Sequence, residues 1–322
     1  MEYVWAIIML AAGILLVVKG GDAFVDASSY IATAAGIPKF IVGATIISLA
    51  TTMPEMIVSL IAASNGQNEM AIGNAIGSVT ANTAMIMAIA FVFMAVNIVR
   101  REYIAQSIML VACAAVVYVG SLGGFLAPWA AVVLVAVFLA FMILNVHQAR
   151  VQSAIASVNA GEEETGEEVD KSRKTVVRNI LLFVLGAAGI VVGSQLLVRG
   201  GGDLAELLGV PERIIAVTLV AIGTSLPELV TTLTAIKKKE SALSVGNIIG
   251  ANIIDLSLIL PLCSFISGKN IPVSAANLAI DMPVCLGVTV LAVTPLLVRQ
   301  KATKAQGIIL LLAYAAYMIV TL

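Results

Sequence analysis

Long apolar runs separated by short polar breaks dominate the chain, and they are too long for the alternating ten-residue strands of a membrane barrel. Ten runs predict ten transmembrane helices, near residues 3–18, 40–64, 70–97, 103–120 and 126–146, then 178–198, 211–236, 242–267, 281–298 and 305–322. At about 1.5 Å per residue such runs suit a hydrocarbon layer of about 30 Å. The breaks carry turn residues, among them Asn65-Gly66-Gln67-Asn68-Glu69, Gly123-Gly124, Lys237-Lys238-Lys239-Glu240 and Gly268-Lys269-Asn270. The run from Tyr3 lacks a basic leader and is followed by further spans, so it reads as the first helix and not as a signal peptide.

Composition agrees with an all-α integral membrane protein: of 322 residues, 60% are hydrophobic and 11% charged, and the mean hydropathy is +1.06. A net charge of -1 offers no basic surface to nucleic acid. Cys113, Cys263 and Cys285 all lie in apolar runs, which argues against a disulfide framework and a zinc site. No cofactor and no protein partner is indicated.

Alternate connections between ten spans fall on opposite sides of the membrane. Fifteen of the 18 Lys and Arg then share one side, and only Arg199, Arg213 and Lys269 lie on the other. The positive-inside rule puts both termini outside and the 147–177 loop in the cytoplasm, and the expected location is the plasma membrane. That loop, with Glu162-Glu163-Glu164 and Glu167-Glu168 beside Lys171, Arg173 and Lys174, reads as a solvated linker. It lacks the alternating oxygen ligands and turn glycine of a calcium loop. His147, the single histidine, sits where the fifth span meets it.

An offset of 173 residues holds without a gap from about Gly20 to Asn82. It pairs Pro38 with Pro211, Thr45 with Thr218, Thr51 with Thr224, Pro54 with Pro227, Glu55 with Glu228, Gly73 with Gly246, Asn74 with Asn247 and Gly77 with Gly250. Each half holds five spans, an odd number, so the second half enters the membrane from the opposite side. The expected organisation is two inverted five-helix repeats, 1–146 and 178–322, joined by the 147–177 linker. Inverted repeats with interrupted helices are the architecture of secondary transporters, with a substrate site at mid-membrane.

Two segments carry the chemistry. Gly43 to Glu55, ending Ala50-Thr51-Thr52-Met53-Pro54-Glu55, is matched by Ala216 to Glu228, ending Gly223-Thr224-Ser225-Leu226-Pro227-Glu228. A mid-span proline has no N–H to donate, so carbonyls near Ser48 to Ala50 and near Ala221 to Gly223 are expected to lose helical partners and become ligands. Glu55 and Glu228 have no Lys or Arg near them in any span, and an unpaired carboxylate at mid-membrane costs several kcal/mol. A cation is the missing partner. Oxygen ligands without His or Cys suit calcium or sodium. The next span of each half, Gly73-Asn74-Ala75-Ile76-Gly77-Ser78 and Gly246-Asn247-Ile248-Ile249-Gly250-Ala251, leads to Asn82 and to its equivalent Asp255, a third intramembrane carboxylate.

These four segments resemble the alpha repeats of the calcium/cation antiporter superfamily, in particular the prokaryotic sodium/calcium exchangers. The resemblance spans the whole ten-helix plan and implies an antiporter, not an enzyme, that exchanges calcium for sodium by alternating access. Carried over by position, it implies Glu55 and Glu228 as central carboxylates, with Thr51, Thr224 and the carbonyls of Ser48 and Ala221 as further oxygens. Thr52, Ser225 and Ser78 become sodium-side hydroxyls, and Asn82 and Asp255 complete the core. Two features depart from the pattern. The first half reads Ala50-Thr51-Thr52 where the family writes Gly-Thr-Ser, and Ala251 offers no hydroxyl opposite Ser78. They leave proton or potassium coupling open beside sodium.

Two other classes use buried carboxylates. An intramembrane aspartyl protease needs two aspartates at one locus, and a cation channel rings its pore through identical subunits. Neither matches glutamates on proline-broken segments. Asp281-Met282-Pro283 reads as an N-cap with a first-turn proline, and Asp22 and Asp26 as solvent-facing residues at the cytoplasmic end of the first helix, with an access-path role open to them.

Overall fold

The computed structural model describes residues 2–159, 170–209, 223–268 and 270–321. Within them the chain is helical throughout, with two isolated bridges, Asn97 to Lys301 and Phe125 to Pro272, pinning loops together. The helices are α1 Glu2–Ala35, α2 Lys39–Val42, α3 Ser48–Thr51, α4 Met53–Ser64, α5 Asn68–Ala81, α6 Ala88–Phe93 and α7 Arg100–Gly120. They continue as α8 Pro128–Asn159, α9 Arg173–Leu207, α10 Leu226–Lys238, α11 Ser241–Ile254, α12 Leu260–Ile266, α13 Met282–Arg299 and α14 Lys304–Thr321.

Eight helices among the described residues are long and apolar enough to cross a membrane, and α2 to α4 add a ninth if that bent stretch is one span. The remaining expected span, 211–236, begins in residues outside the described ones and emerges as α10. The protein is thus an all-helical, multi-pass membrane protein.

Three helices run further than the apolar pattern alone suggests. The first span, expected over 3–18, continues to Ala35, because Lys19, Asp22 and Asp26 do not break a helix and the first breaker is Gly36 at φ 64, two residues before Pro38. Its 34 residues reach about 51 Å, well past the hydrocarbon layer. Helix α8 likewise carries His147 and ends at Asn159, and α9 starts at Arg173, where the Ser172 hydroxyl accepts the Thr175 N–H. Helix therefore occupies both ends of the expected 147–177 loop, and its acidic runs lie outside the described residues.

Helices α1 and α9 pack antiparallel. Lipid gives apolar side chains no reason to leave it, so close backbone approach at small residues must hold such a pair together. A Cβ on Gly13 would lie 2.9 Å from the carbonyl oxygen of Gly193, and one on Gly20 2.9 Å from that of Gly186. Farther along, the Phe24 and Phe183 rings meet at 4.7 Å. The polar-bearing helices sit in the centre instead. Of the most apolar 18-residue window, 78% is buried in the α11–α12 span and 72% in the α5–α6 span, against 17% in α14.

Among the described residues there are four π-helical turns, at Gly43–Ile47, Asn82–Met87, Asp255–Ile259 and Asn277–Asp281. Two of them start at Asn82 and Asp255, residues equivalent under the 173-residue offset. The last corrects the reading of Asp281. The Ser274 hydroxyl accepts the Asn277 N–H, so the helix starts upstream of Asp281, which makes no cap bond and accepts the Tyr317 hydroxyl at 3.0 Å. Asp22 and Asp26 are also more engaged than expected. Lys238 reaches Asp26 at 2.7 Å and Asp22 at 3.6 Å, and Lys237 reaches Asp22 at 3.2 Å.

Candidate ion-binding site

The chain from Lys39 to Ser64 bends by 46° between Thr51 and Met53. Pro54 in the first turn of α4 cannot donate to a preceding carbonyl, so the ladder is interrupted there and Thr52 takes φ -80, ψ 0. The break brings the Glu55 carboxylate to the start of a new helix inside the protein. Leu226 and Pro227 do the same for Glu228 at the start of α10.

Both glutamates are fully buried, as is Asp255, and none of their carboxylate oxygens has a hydrogen-bond partner among the described residues. Glu55 lies within electrostatic reach of Glu228 and Asp255, and Asp255 within reach of Glu228. The hydroxyl of Ser225 sits beside Glu55 and that of Thr51 beside Glu228, so each half brings a hydroxyl to the other half's carboxylate. Three mutually interacting carboxylates without a basic partner among the described residues are a strongly unfavourable arrangement in a low dielectric unless a cation joins them.

The neutral candidates lie on neighbouring elements: Thr51 ends α3, Thr52 and Ser225 precede α4 and α10, Ser78 is on α5, and Asn82 opens the π turn after it. Thr51, Thr52, Ser78, Asn82 and Ser225 are buried, and Thr224 is half-buried. Neither amide atom of Asn82, nor the Ser225 hydroxyl, has a partner among the described residues. Thr51 donates to Asn247 Oδ1 at 3.1 Å, and Thr224 donates to Asn74 Oδ1 at 3.4 Å. Ala221 lies outside the described residues.

The Ser48 carbonyl is not free, contrary to expectation. It accepts the Thr52 N–H at 2.9 Å and the Thr52 hydroxyl at 2.7 Å. Proline removes the partner of the carbonyl four residues back, which is Ala50, while Ser48 keeps its own. To bind an ion there, the Thr52 hydroxyl has to turn away. Among the described residues no three His, Cys, Asp or Glu side chains converge tightly enough to hold a metal by themselves. A divalent ion here would have to draw on hydroxyl, amide and carbonyl oxygens beside the glutamates, as hard cations do.

The sodium/calcium exchanger protein family matches the chain over residues 5–146 and 178–322. The chain belongs to that family. Its members are transporters and not enzymes. The chain is 26% identical over 358 aligned positions to the sodium/calcium exchanger MaX1 of Methanosarcina acetivorans, covering 97% of each. It is 32% identical over 247 positions to an uncharacterized membrane protein of Methanocaldococcus jannaschii, covering 76% of each. Its fold is similar to that of the sodium-calcium exchanger NCX_Mj soaked with 10 mM Na+ and 10 mM Sr2+, with a TM-score of 0.83 and 26% identity over 98% of each chain.

Within this family setting, two asparagines stand out that ligand reasoning passed over. Asn74 and Asn247 were visible as equivalent members of Gly-Asn pairs, but nothing in the linear pattern says that each meets the other half's threonine. His147 takes no part in the site. It lines a separate cavity of about 60 Å³ with Arg101, Glu102 and Gln148.

Proposed function

We propose that the chain is a secondary active antiporter that exchanges calcium for sodium across the plasma membrane by alternating access. The observation that carries this reading is the pairing of Glu55 with Glu228: equivalent carboxylates, fully buried, unpartnered among the described residues, each approached by a hydroxyl from the opposite half. The proposed central site uses both glutamates with Thr51, Thr224 and the carbonyls of Ser48 and Ala221. Thr52, Ser225 and Ser78 serve sodium, and Asn82 and Asp255 complete the core.

The proposed plan is ten spans in two inverted repeats, 1–146 and 178–322, about the 147–177 linker. The α1–α9 pair supports it, since the 173-residue offset carries Gly13 and Gly20 onto Gly186 and Gly193, and these glycines meet reciprocally in an antiparallel contact. Equivalent helices that run antiparallel are what inversion requires. The proposed sidedness, termini outside and linker inside, rests on the distribution of Lys and Arg.

Proton coupling is the second reading, and Ala251 is the residue that favours it, because a missing hydroxyl leaves one sodium position short of oxygen. Reconstituted protein decides between them. Uptake of radiolabelled calcium into proteoliposomes is measured with sodium, potassium and proton gradients imposed one at a time. Uptake driven by outward sodium alone supports the first reading, and uptake that follows only the proton gradient replaces it with the second. Calcium flux that neither saturates nor needs a counter-ion refutes antiport.

A further inference from the structure

The direction of a proton decides what a hydroxyl can do for a cation. Threonine has one O–H and two lone pairs, so a hydroxyl that donates into the ion path repels the ion, and one that donates elsewhere offers it an oxygen. Beside Glu228 the natural acceptor for Thr51 is the carboxylate itself. Something has to hold the proton away from it.

Asn74 shows how. Its Nδ2 lies 3.3 Å from the backbone carbonyl of Glu55 and 2.9 Å from the Ser59 hydroxyl. A carbonyl only accepts, so the amide nitrogen must face Glu55, and the other end of the amide, Oδ1, must face Thr224. Asn74 therefore takes the proton of Thr224. Asn247 makes the corresponding threonine contact from the second half, with Oδ1 taking the Thr51 proton at 3.1 Å, while its Nδ2 has no partner among the described residues. The Ser48 carbonyl, the competing acceptor for Thr51, is farther at 3.4 Å. Both asparagines are on the helices that follow the glutamate helices, α5 and α11, so each ties its own half to the ligand threonine of the other.

We propose that Asn74 and Asn247 are positioning residues for the transported cation: each holds the opposite half's threonine with its proton turned out of the site, so that the oxygen lone pairs are presented before the ion arrives. The two contacts span the interface between the halves, so the ligand set is complete only while both halves are docked. This inference rests on the calcium-binding reading given above. Outer residues that orient metal ligands typically contribute about 10- to 100-fold in affinity, and a loss of that size is expected here.

The test is a double-mutant cycle on the purified full-length protein, with calcium binding read by calorimetry or radioligand and the thermal midpoint of the ion-free protein recorded alongside. Asn247→Leu and Thr51→Val should each weaken calcium binding by about 10- to 100-fold. The double variant should be no weaker than the worse single, because once the hydroxyl is gone the asparagine has nothing to orient. Asn247→Leu combined with Thr224→Val should instead multiply the two losses. If Asn247→Leu yields no folded protein, Asn74→Leu with Thr224→Val makes the same test in the other half. Unchanged affinity in the asparagine variants overturns the inference, as do losses that multiply within the Thr51 cycle. A lowered midpoint with no coupling specific to the pair also overturns it, since that is the mark of a structural role. Wild-type protein that binds neither calcium nor sodium overturns the functional reading and this inference with it.

Discussion

Lys39 reaches both carboxylate oxygens of Glu240, at 2.7 and 2.8 Å, and the Ser29 hydroxyl donates to the same carboxylate at 2.9 Å. Three separate elements meet there: the last turns of α1, the start of α2 and the corner between α10 and α11. Under the 173-residue offset Lys39 becomes Glu212 and Glu240 corresponds to Gln67, a pair that cannot form an ion bridge. The molecule has a latch at one end and no equivalent in sequence at the other.

In the proposed alternating-access cycle, separating the halves at that end breaks the latch, so Glu240→Gln should favour the conformation in which it is open. A partly exposed bridge of this kind contributes about 1 kcal/mol, or about a five-fold shift in population. A single cysteine at Thr45, between the latch and Glu55, reports it in a background lacking the buried Cys113, Cys263 and Cys285. A small impermeant thiol reagent added on the latch side should label it about five times faster in the Glu240→Gln protein. An unchanged rate would show that the bridge does not bear on access.

Glu55→Gln and Glu228→Gln should each abolish calcium exchange and leave the protein folded. In the proposed site each removes a charged ligand, a larger loss than the about 10- to 100-fold of a supporting residue. Neither side chain has a hydrogen bond among the described residues that the fold would miss. Calcium uptake into proteoliposomes, with elution volume and thermal midpoint as controls on folding, checks this. Near-normal uptake in either variant removes that glutamate from the central site.

Much of this site was legible in sequence because its residues break local rules. A glutamate after a mid-span proline, twice at one spacing, has no ordinary place in hydrocarbon, and both copies are indeed buried without a basic partner among the described residues. What stayed hidden depends on contacts between distant segments. The linear chain does not tell Thr51 that its partner is Asn247, nor Lys39 that it faces Glu240. The apolar pattern misplaces the ends of α1 and α8 for a different reason: hydropathy marks where lipid ends, and a helix without a breaker continues into water. The general weakening of a proline-broken turn points to the Ser48 carbonyl, but the missing donor is specific to the residue four positions before Pro54.

The charge distribution predicts that the loop near Glu162 faces the cytoplasm and the turn at Gly66 faces outside. Single cysteines at these two positions in the cysteine-free background should react with an impermeant reagent from opposite sides of the membrane. Gly66 stands at φ 76 in an exposed turn, so a cysteine there is accessible at some cost in backbone strain, and Gln67 is an unstrained substitute. Labelling of both from one side would refute the ten-span inverted plan.

The two halves differ at several site positions, and one of those differences bears on the coupling ion. Ser78 and Ala251 are equivalent and both buried, on α5 and α11, but only the first carries a hydroxyl. A sodium ion entering the protein must replace its hydration shell with several oxygens, and a methyl group supplies none. The position next to Ala251 should therefore hold sodium weakly. Ala251→Ser should restore an oxygen and lower the sodium concentration that half-displaces calcium, while Ser78→Ala should raise it. Calcium affinity measured without sodium should change little in both variants, because the proposed assignment puts both positions at flanking sodium sites and not at the Glu55–Glu228 centre. Competition of sodium against calcium at fixed pH reads all three quantities. If Ser78→Ala abolishes calcium binding itself and Ala251→Ser leaves sodium competition where it was, the separation into a central calcium site and flanking sodium sites is wrong.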